Sequence, residues 1–249
     1  MHVIISETAE QLGAKAADKA AEVVRGAIER RGQARIIVST GASQFDFISE
    51  FVKRDIDWSK VVMFHLDEYV AMPETHPASF RKYLKERLLA FAPIGEVHFV
   101  DGEGDAEAKI AALSRELTKA PIDLGLIGIG ENAHIAFNDP PADFDATEAY
   151  RFVELNESCK RQQVREGWFP TLDDVPKIAI TMTVKQIYAC ETIISCVPHA
   201  VKAEAIRNTL EGPVTNEVPA TYLRSHPDWR LYLDRNSASR LAEQPGTTR

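Results

Sequence analysis

The chain has 249 residues, 45% of them apolar and 27% charged, and a formal net charge of -8. That is enough chain for a sizeable core, and the acidic balance excludes broad binding to nucleic acid or an anionic membrane, though not a small anion held in a locally basic pocket. Cys159, Cys190 and Cys196 lack CxxC spacing, and the amino terminus shows neither a basic n-region nor a long apolar h-region, so a cytoplasmic, metal-free protein without disulfides is expected.

In chain order, the first strong element is a helix over Thr8 to Arg31. Leu12, Ala16, Ala20, Val23, Ala27 and Ile28 form one apolar stripe, Thr8 and Gln11 suit a capping box, and Gly32 stops the helix. Short apolar runs then read as strands at 34–39, 61–66, 97–100, 124–129, 177–182, 192–197 and 230–234. Helical spacing fills 44–54, 78–90, 105–119, 199–211 and 234–241, and the tail EQPGTTR reads as frayed. Strands alternating with helices predict an α/β fold with a mainly parallel sheet flanked by helices. No linker or repeat interrupts the pattern, so one domain over residues 1–249 is expected. Ligands of such folds gather where strands end, at the carboxyl edge of the sheet.

Four segments stand at such strand ends. STGASQ (39–44) is a short loop entering a helix. Its backbone N–H groups, with the hydroxyls of Thr40 and Ser43, suit a phosphate; read alone, it is equally a turn capped by Ser43. HLDEYVAMPETHPASF (65–80) sets Asp67 and Glu68 just past a buried run, where desolvation raises a carboxyl pKa and suits proton transfer; the bland alternative is that both acids solvate a loop. The stretch from Pro73 to Pro77 reads as a loop able to fold over a pocket.

GIGENAHIAFNDP (128–140) brackets His134 with Asn132 and Asp139, enough to hold a tautomer and stabilise an imidazolium, though a lone histidine is as often a packed or capping residue. VPHAVKAEAI (197–206) sets Lys202 in the first turn of a helix, against the dipole preference for acids, which makes sense if an anion sits there and is otherwise an ordinary surface lysine. NESCKRQQVREGWF (156–169) adds Lys160, Arg161 and Arg165 as further anion candidates, while Trp168 and Phe169 read as core or lid packing.

Together these segments resemble the glucosamine-6-phosphate deaminase/isomerase family, which is related to the 6-phosphogluconolactonases. The family pattern is a TGG-S/T loop, DEY, GxGxDGHIAFNEP and a late KA pair. Here these stand as Thr40-Gly41-Ala42-Ser43, Asp67-Glu68-Tyr69, Gly128 to Pro140 and Lys202-Ala203, in the same order over roughly residues 34 to 240.

The resemblance implies a modified Rossmann-like α/β sandwich, no cofactor and a small sugar phosphate as partner, and it leaves room for a homo-oligomer. It also implies roles. His134 with Asp139 assists opening of the pyranose ring, and Asp67 carries the C2 proton to C1. Thr40, Gly41, Ala42, Ser43 and Lys202 hold the phosphate. The chain departs from the pattern at Asn132, where the family has aspartate, at Ala133 for glycine and at Asp139 for glutamate. With only Asp139 left to stabilise a charged His134, ring opening is expected to be slow, and Asn132→Asp to speed it. A lactonase and a non-catalytic sugar-phosphate binder are the alternatives.

Overall fold

In the computed structural model, which describes residues 1–242, the chain forms ten strands and seven α-helices among the described residues. The order is β1 (His2–Ser6), α1 (Ala9–Arg31), β2 (Ala34–Val38), α2 (Phe45–Phe51), β3 (Val61–His65), β4 (Asp67–Tyr69), α3 (Phe80–Leu84), β5 (Glu96–His98), α4 (Ala106–Leu117) and β6 (Leu124–Leu126). There follow β7 (Tyr150–Glu154), α5 (Glu157–Arg165), β8 (Ile178–Met182), α6 (Val184–Tyr188), β9 (Thr192–Val197), α7 (Ala203–Glu211) and β10 (Trp229–Asp234). The expected frayed tail, 243–249, lies outside the described residues.

Seven strands make one sheet in the order β1-β10-β9-β6-β2-β3-β5, and every neighbouring pair is parallel. Both faces are covered, as an all-parallel sheet requires. Alternation along the strands sorts the side chains. Ile37 and Phe64 enter one apolar cluster, while Ile36, Val38 and Met63 enter the other with the alanine-rich stripe of α1. This is the α/β architecture expected from the alternating runs.

Three strands went unread. β1 is short, β7 alternates buried and exposed residues rather than forming an apolar run, and β4 is a tripeptide with two acids. β4 exists because β8 pairs with it from across the chain: the antiparallel order β4-β8-β7 forms a second, smaller sheet. Residues 177–182 therefore do not extend the parallel sheet.

The helix expected over 234–241 is absent; residues 235–240 are turns. Asp234 accepts hydrogen bonds from the backbone N–H groups of Ser237 (2.7 Å) and His199 (3.0 Å), chemistry that favours a turn over a helix. At the start of α1, Thr8 Oγ1 accepts from the Gln11 N–H as expected, but the Gln11 side chain accepts from Glu7 rather than Thr8, so half of the capping box forms.

β2 is followed by β3 on one side of it, and β6 by β9 on the other, so the carboxyl ends of β2 and β6 flank the point where the strand order reverses. Loops leaving such a point diverge and open a crevice.

Candidate active site

A cleft opens at that point. Residues 39–43 line it from the end of β2, Leu66 and Asp67 from beyond β3, Gly128, Ile129, Gly130 and His134 from beyond β6, and Lys202 from beyond β9. Gln162, Gln163, Glu166 and Trp168, from α5 and its exit, form a further wall. Thr40, Gly41, Ala42, Ser43, Asp67, His134 and Lys202 are thus brought around one cleft, and Asn132 and Asp139 stand behind His134.

The loop after β2 is pinned from two sides. Tyr83 Oη donates to the Gly41 carbonyl at 2.9 Å, and Gln44 Nε2 donates to Ser43 Oγ at 3.0 Å and to the Cys196 carbonyl of β9 at 3.1 Å. Gln44 therefore ties the loop to the strand that leads to Lys202. Sequence reading passed over it, because a glutamine in a first helical turn carries no pattern. Lys202 is buried, and desolvation lowers its pKa while Glu166 and Glu131 oppose that shift. It is the only lysine or arginine lining the cleft among the described residues. Lys160, Arg161 and Arg165 do not reach it: Arg161 pairs with Glu157, and Arg165 with Glu131. The 73–77 stretch does not cover the cleft either; its His76 stacks on Phe169, and Phe169 is buried as expected.

Asp67 lies in β4, opposite Thr181 of β8, and is buried. Burial first, and the neighbouring Glu68 second, push its pKa well above the usual carboxylate value. Glu68 has no freedom to share its work. One of its oxygens accepts from the Tyr69 N–H at 3.0 Å, and the other from Ser79 Oγ and the Arg81 N–H, each at 3.0 Å. Arg81 in turn donates to the Met72 carbonyl and to Asp101 and Glu103. This buried network fixes the chain that follows Asp67.

His134 Nδ1 lies 2.6 Å from Asn132 Oδ1 and 3.3 Å from Asp139 Oδ1, and Asn132 Nδ2 donates to Asp139 at 3.1 Å. The carboxamide thus accepts from the ring and donates to the acid, so the near partner of the ring is Asn132 rather than Asp139 alone, as the sequence suggested. An acceptor at Nδ1 puts the proton there and leaves Nε2 as the basic nitrogen. Burial alone would raise the pKa of Asp139, but His134 and Asn132 together hold it below its usual value.

The loop geometry accounts for two small residues. A Cβ on Gly130 would sit 2.1 Å from His134 Cε1, so the ring needs a glycine beneath it. Ala133, at φ 64°, takes a left-handed conformation that glycine adopts more easily. Asn138, which sequence reading left unassigned, donates to the carbonyls of Ile135 and Met182 at 2.8 Å each and docks this loop on β8.

Elsewhere, Glu96, His98 and Glu116 bring ligand-type atoms within 4.8 Å of one another, but His98 lies against Glu96 and Glu116 is paired with Lys119. No helix is long and apolar enough to cross a membrane among the described residues, and the three cysteines are free and buried.

Residues 7–231 match the family model of glucosamine-6-phosphate isomerases/6-phosphogluconolactonase. A glucosamine-6-phosphate deaminase of Lactobacillus delbrueckii subsp. bulgaricus is 34% identical over 242 residues, covering 97% of this chain and 100% of the relative. One from Streptococcus pneumoniae is 37% identical over 205 residues, covering 82% and 86%. Among solved structures, a monomeric glucosamine-6-phosphate deaminase superposes with a TM-score of 0.86 at 28% identity, covering 96% of this chain and 99% of that one. The 6-phosphogluconolactonase of Thermotoga maritima shares the fold, with a TM-score of 0.77 at 16% identity over 94% of this chain and 99% of its own.

Proposed function

The chain belongs to the family of glucosamine-6-phosphate isomerases and 6-phosphogluconolactonases, and from that premise we propose that it is a cytoplasmic, single-domain enzyme converting glucosamine 6-phosphate to fructose 6-phosphate and ammonia. The observation that carries this reading is the convergence of Asp67, His134, residues 39–43 and Lys202 on one cleft.

Lys202 and the N–H and hydroxyl groups of residues 40–43 hold the phosphate and so position C1 and C2 of the sugar. His134, with its proton held at Nδ1 by Asn132, uses Nε2 to take the C1 hydroxyl proton as the ring C–O bond breaks and passes it to the ring oxygen, leaving an aldehyde at C1. Asp67 then removes the C2 proton. The electron pair left behind forms the C1–C2 double bond of an enolamine as the C1 carbonyl π pair moves to its oxygen, which takes a proton from water. Asp67 then returns its proton to C1 while the nitrogen lone pair forms a C2–N double bond and the nitrogen sheds a proton. The product is an imine at C2. Water adds there, the C2–N bond breaks, and ammonia leaves a ketone. A buried carboxyl whose pKa is raised is a stronger base once ionised, which suits it to a weakly acidic carbon.

Ammonia release from glucosamine 6-phosphate is the direct test, with hydrolysis of 6-phosphogluconolactone run in parallel. Release without lactone hydrolysis supports the deaminase, and the reverse pattern would make the chain a lactonase. Asp67→Asn keeps the shape but cannot take the proton, so kcat falls by about 10²–10⁴-fold while substrate binding persists. Exchange of the C2 hydrogen with solvent deuterium stops in the same variant; undiminished exchange would move the base elsewhere. Glu68, with both oxygens already bonded, is then a poor substitute.

A further inference from the structure

The inward stripe of α5 is Cys159, Gln162 and Gln163, the i, i+3, i+4 spacing at which a helix ordinarily buries apolar side chains. Two amides occupy it instead. Gln162 is committed, since its Nε2 donates to Glu166 Oε1 at 2.8 Å and its Oε1 accepts from the Glu131 N–H at 3.4 Å. Gln163 differs. It is 6% exposed and lines the cleft, and its Oε1 has no hydrogen-bond partner among the described residues. Leaving a buried carbonyl unpaired is unfavourable, and an apolar side chain in its place would remove the penalty.

Resting on the reading of the cleft as a sugar-phosphate site, we propose that Gln163 reads the sugar: its side-chain oxygen accepts a hydrogen bond from a hydroxyl or ammonium group of the bound hexosamine phosphate. The phosphate itself cannot be that partner. Near neutral pH a phosphate monoester is largely a dianion that offers acceptors, and an amide oxygen cannot donate to it. The charged end of the ligand belongs to Lys202 and residues 40–43, and the wall formed by α5 faces the polyhydroxyl part. Through that oxygen Gln163 is a specificity residue, sensitive to where the sugar carries its donors.

The test compares wild type with Gln163→Met, close in size and without the amide, using calorimetric binding of glucitol 6-phosphate and of inorganic phosphate, together with turnover of glucosamine 6-phosphate. Loss of a buried hydrogen bond to the sugar weakens glucitol 6-phosphate binding, and raises KM, by about tenfold to a hundredfold, with inorganic phosphate binding unchanged. Unchanged binding of both ligands overturns the proposal, as does equal weakening of both, which would mean a role in the anion site or in folding. If the methionine variant does not fold, Gln163→Asn, which withdraws the oxygen by one methylene, is held to the same outcomes. Should the wild type bind glucitol 6-phosphate but release no ammonia, the deaminase reading fails while the binding comparison still decides the role of Gln163. Wild type that binds no phosphorylated sugar would overturn both.

Discussion

Asn132 holds two groups at once, accepting from the ring of His134 and donating to Asp139. An aspartate there would set a second carboxylate about 3 Å from Asp139, and two such acids cannot both ionise freely. At low pH the pair shares a proton and can still donate as the amide does. Only when that proton leaves does the second negative charge reach the imidazolium. The faster turnover that the sequence alone suggests for Asn132→Asp is therefore confined to the alkaline side. In the variant, the acid limb of kcat/KM against pH moves up by about one unit or more, since a neighbouring carboxylate raises the pKa of its partner acid. A profile superimposable on the wild type would show that residue 132 stands outside the ionising network. The residues His134, Asn132 and Asp139 were legible in sequence because they fall within eight positions of one another. Which atom of which residue meets the ring was not, because a hydrogen bond is decided by side-chain rotamers and the backbone turn at Ala133.

At the scale of elements, α1 and α2 touch through Gly13. A Cβ at that position would lie 2.8 Å from the Asp46 carbonyl carbon and 2.9 Å from the Phe47 nitrogen, both backbone atoms unable to give way locally. Gly13→Ala therefore pushes α2 outward. It destabilises the chain by about 1–3 kcal/mol, the usual range for overpacking, measured by urea denaturation. Because α2 follows directly on residues 42–44, KM for the phosphorylated substrate rises as well, while KM unchanged beside a lowered stability would show the loop to be insulated from the helix. Long elements such as α1 were readable from their stripe alone. β4 was not, because Asp67-Glu68-Tyr69 has no strand pattern of its own and owes its conformation to Ala179–Thr181, more than a hundred residues later. The same pairing gives Asp67 its burial, so the sequence located the acid beyond a strand but not the second sheet that holds it.

For the molecule as a whole, His65 couples stability to pH. It is completely buried at the end of β3, neither ring nitrogen has a partner among the described residues, and burial, with help from Arg81, lowers its pKa from 6.5 to about 3. Between those values the unfolded chain takes up a proton that the folded chain refuses. Stability is therefore full above pH 6.5 and falls as the pH drops towards 3. At about pH 5 this one group removes about 2 kcal/mol. Asp67 and Glu68, whose pKa values are raised, act in the opposite sense, because protonating them relieves a buried charge. Comparing wild type with His65→Phe separates the two: urea denaturation between pH 7.5 and about pH 5 should show the variant losing about 2 kcal/mol less. An equal loss in both would mean that water reaches the ring in the native state.

A different whole-molecule consequence lies in the pairing of β1 with β10. Among the described residues, His2–Ser6 finds its one sheet neighbour in Trp229–Asp234, so β1 waits for a strand made more than two hundred residues later. Until then α1, with its long alanine face, is tethered to a strand that has nowhere to dock, and β9 lacks its outer neighbour. The molecule is in this sense a closed book: a nascent chain stopped short of residue 229 can neither bury β1 nor complete the sheet that bears Lys202 at its margin, and premature termination near the end should cost the whole fold rather than a single strand.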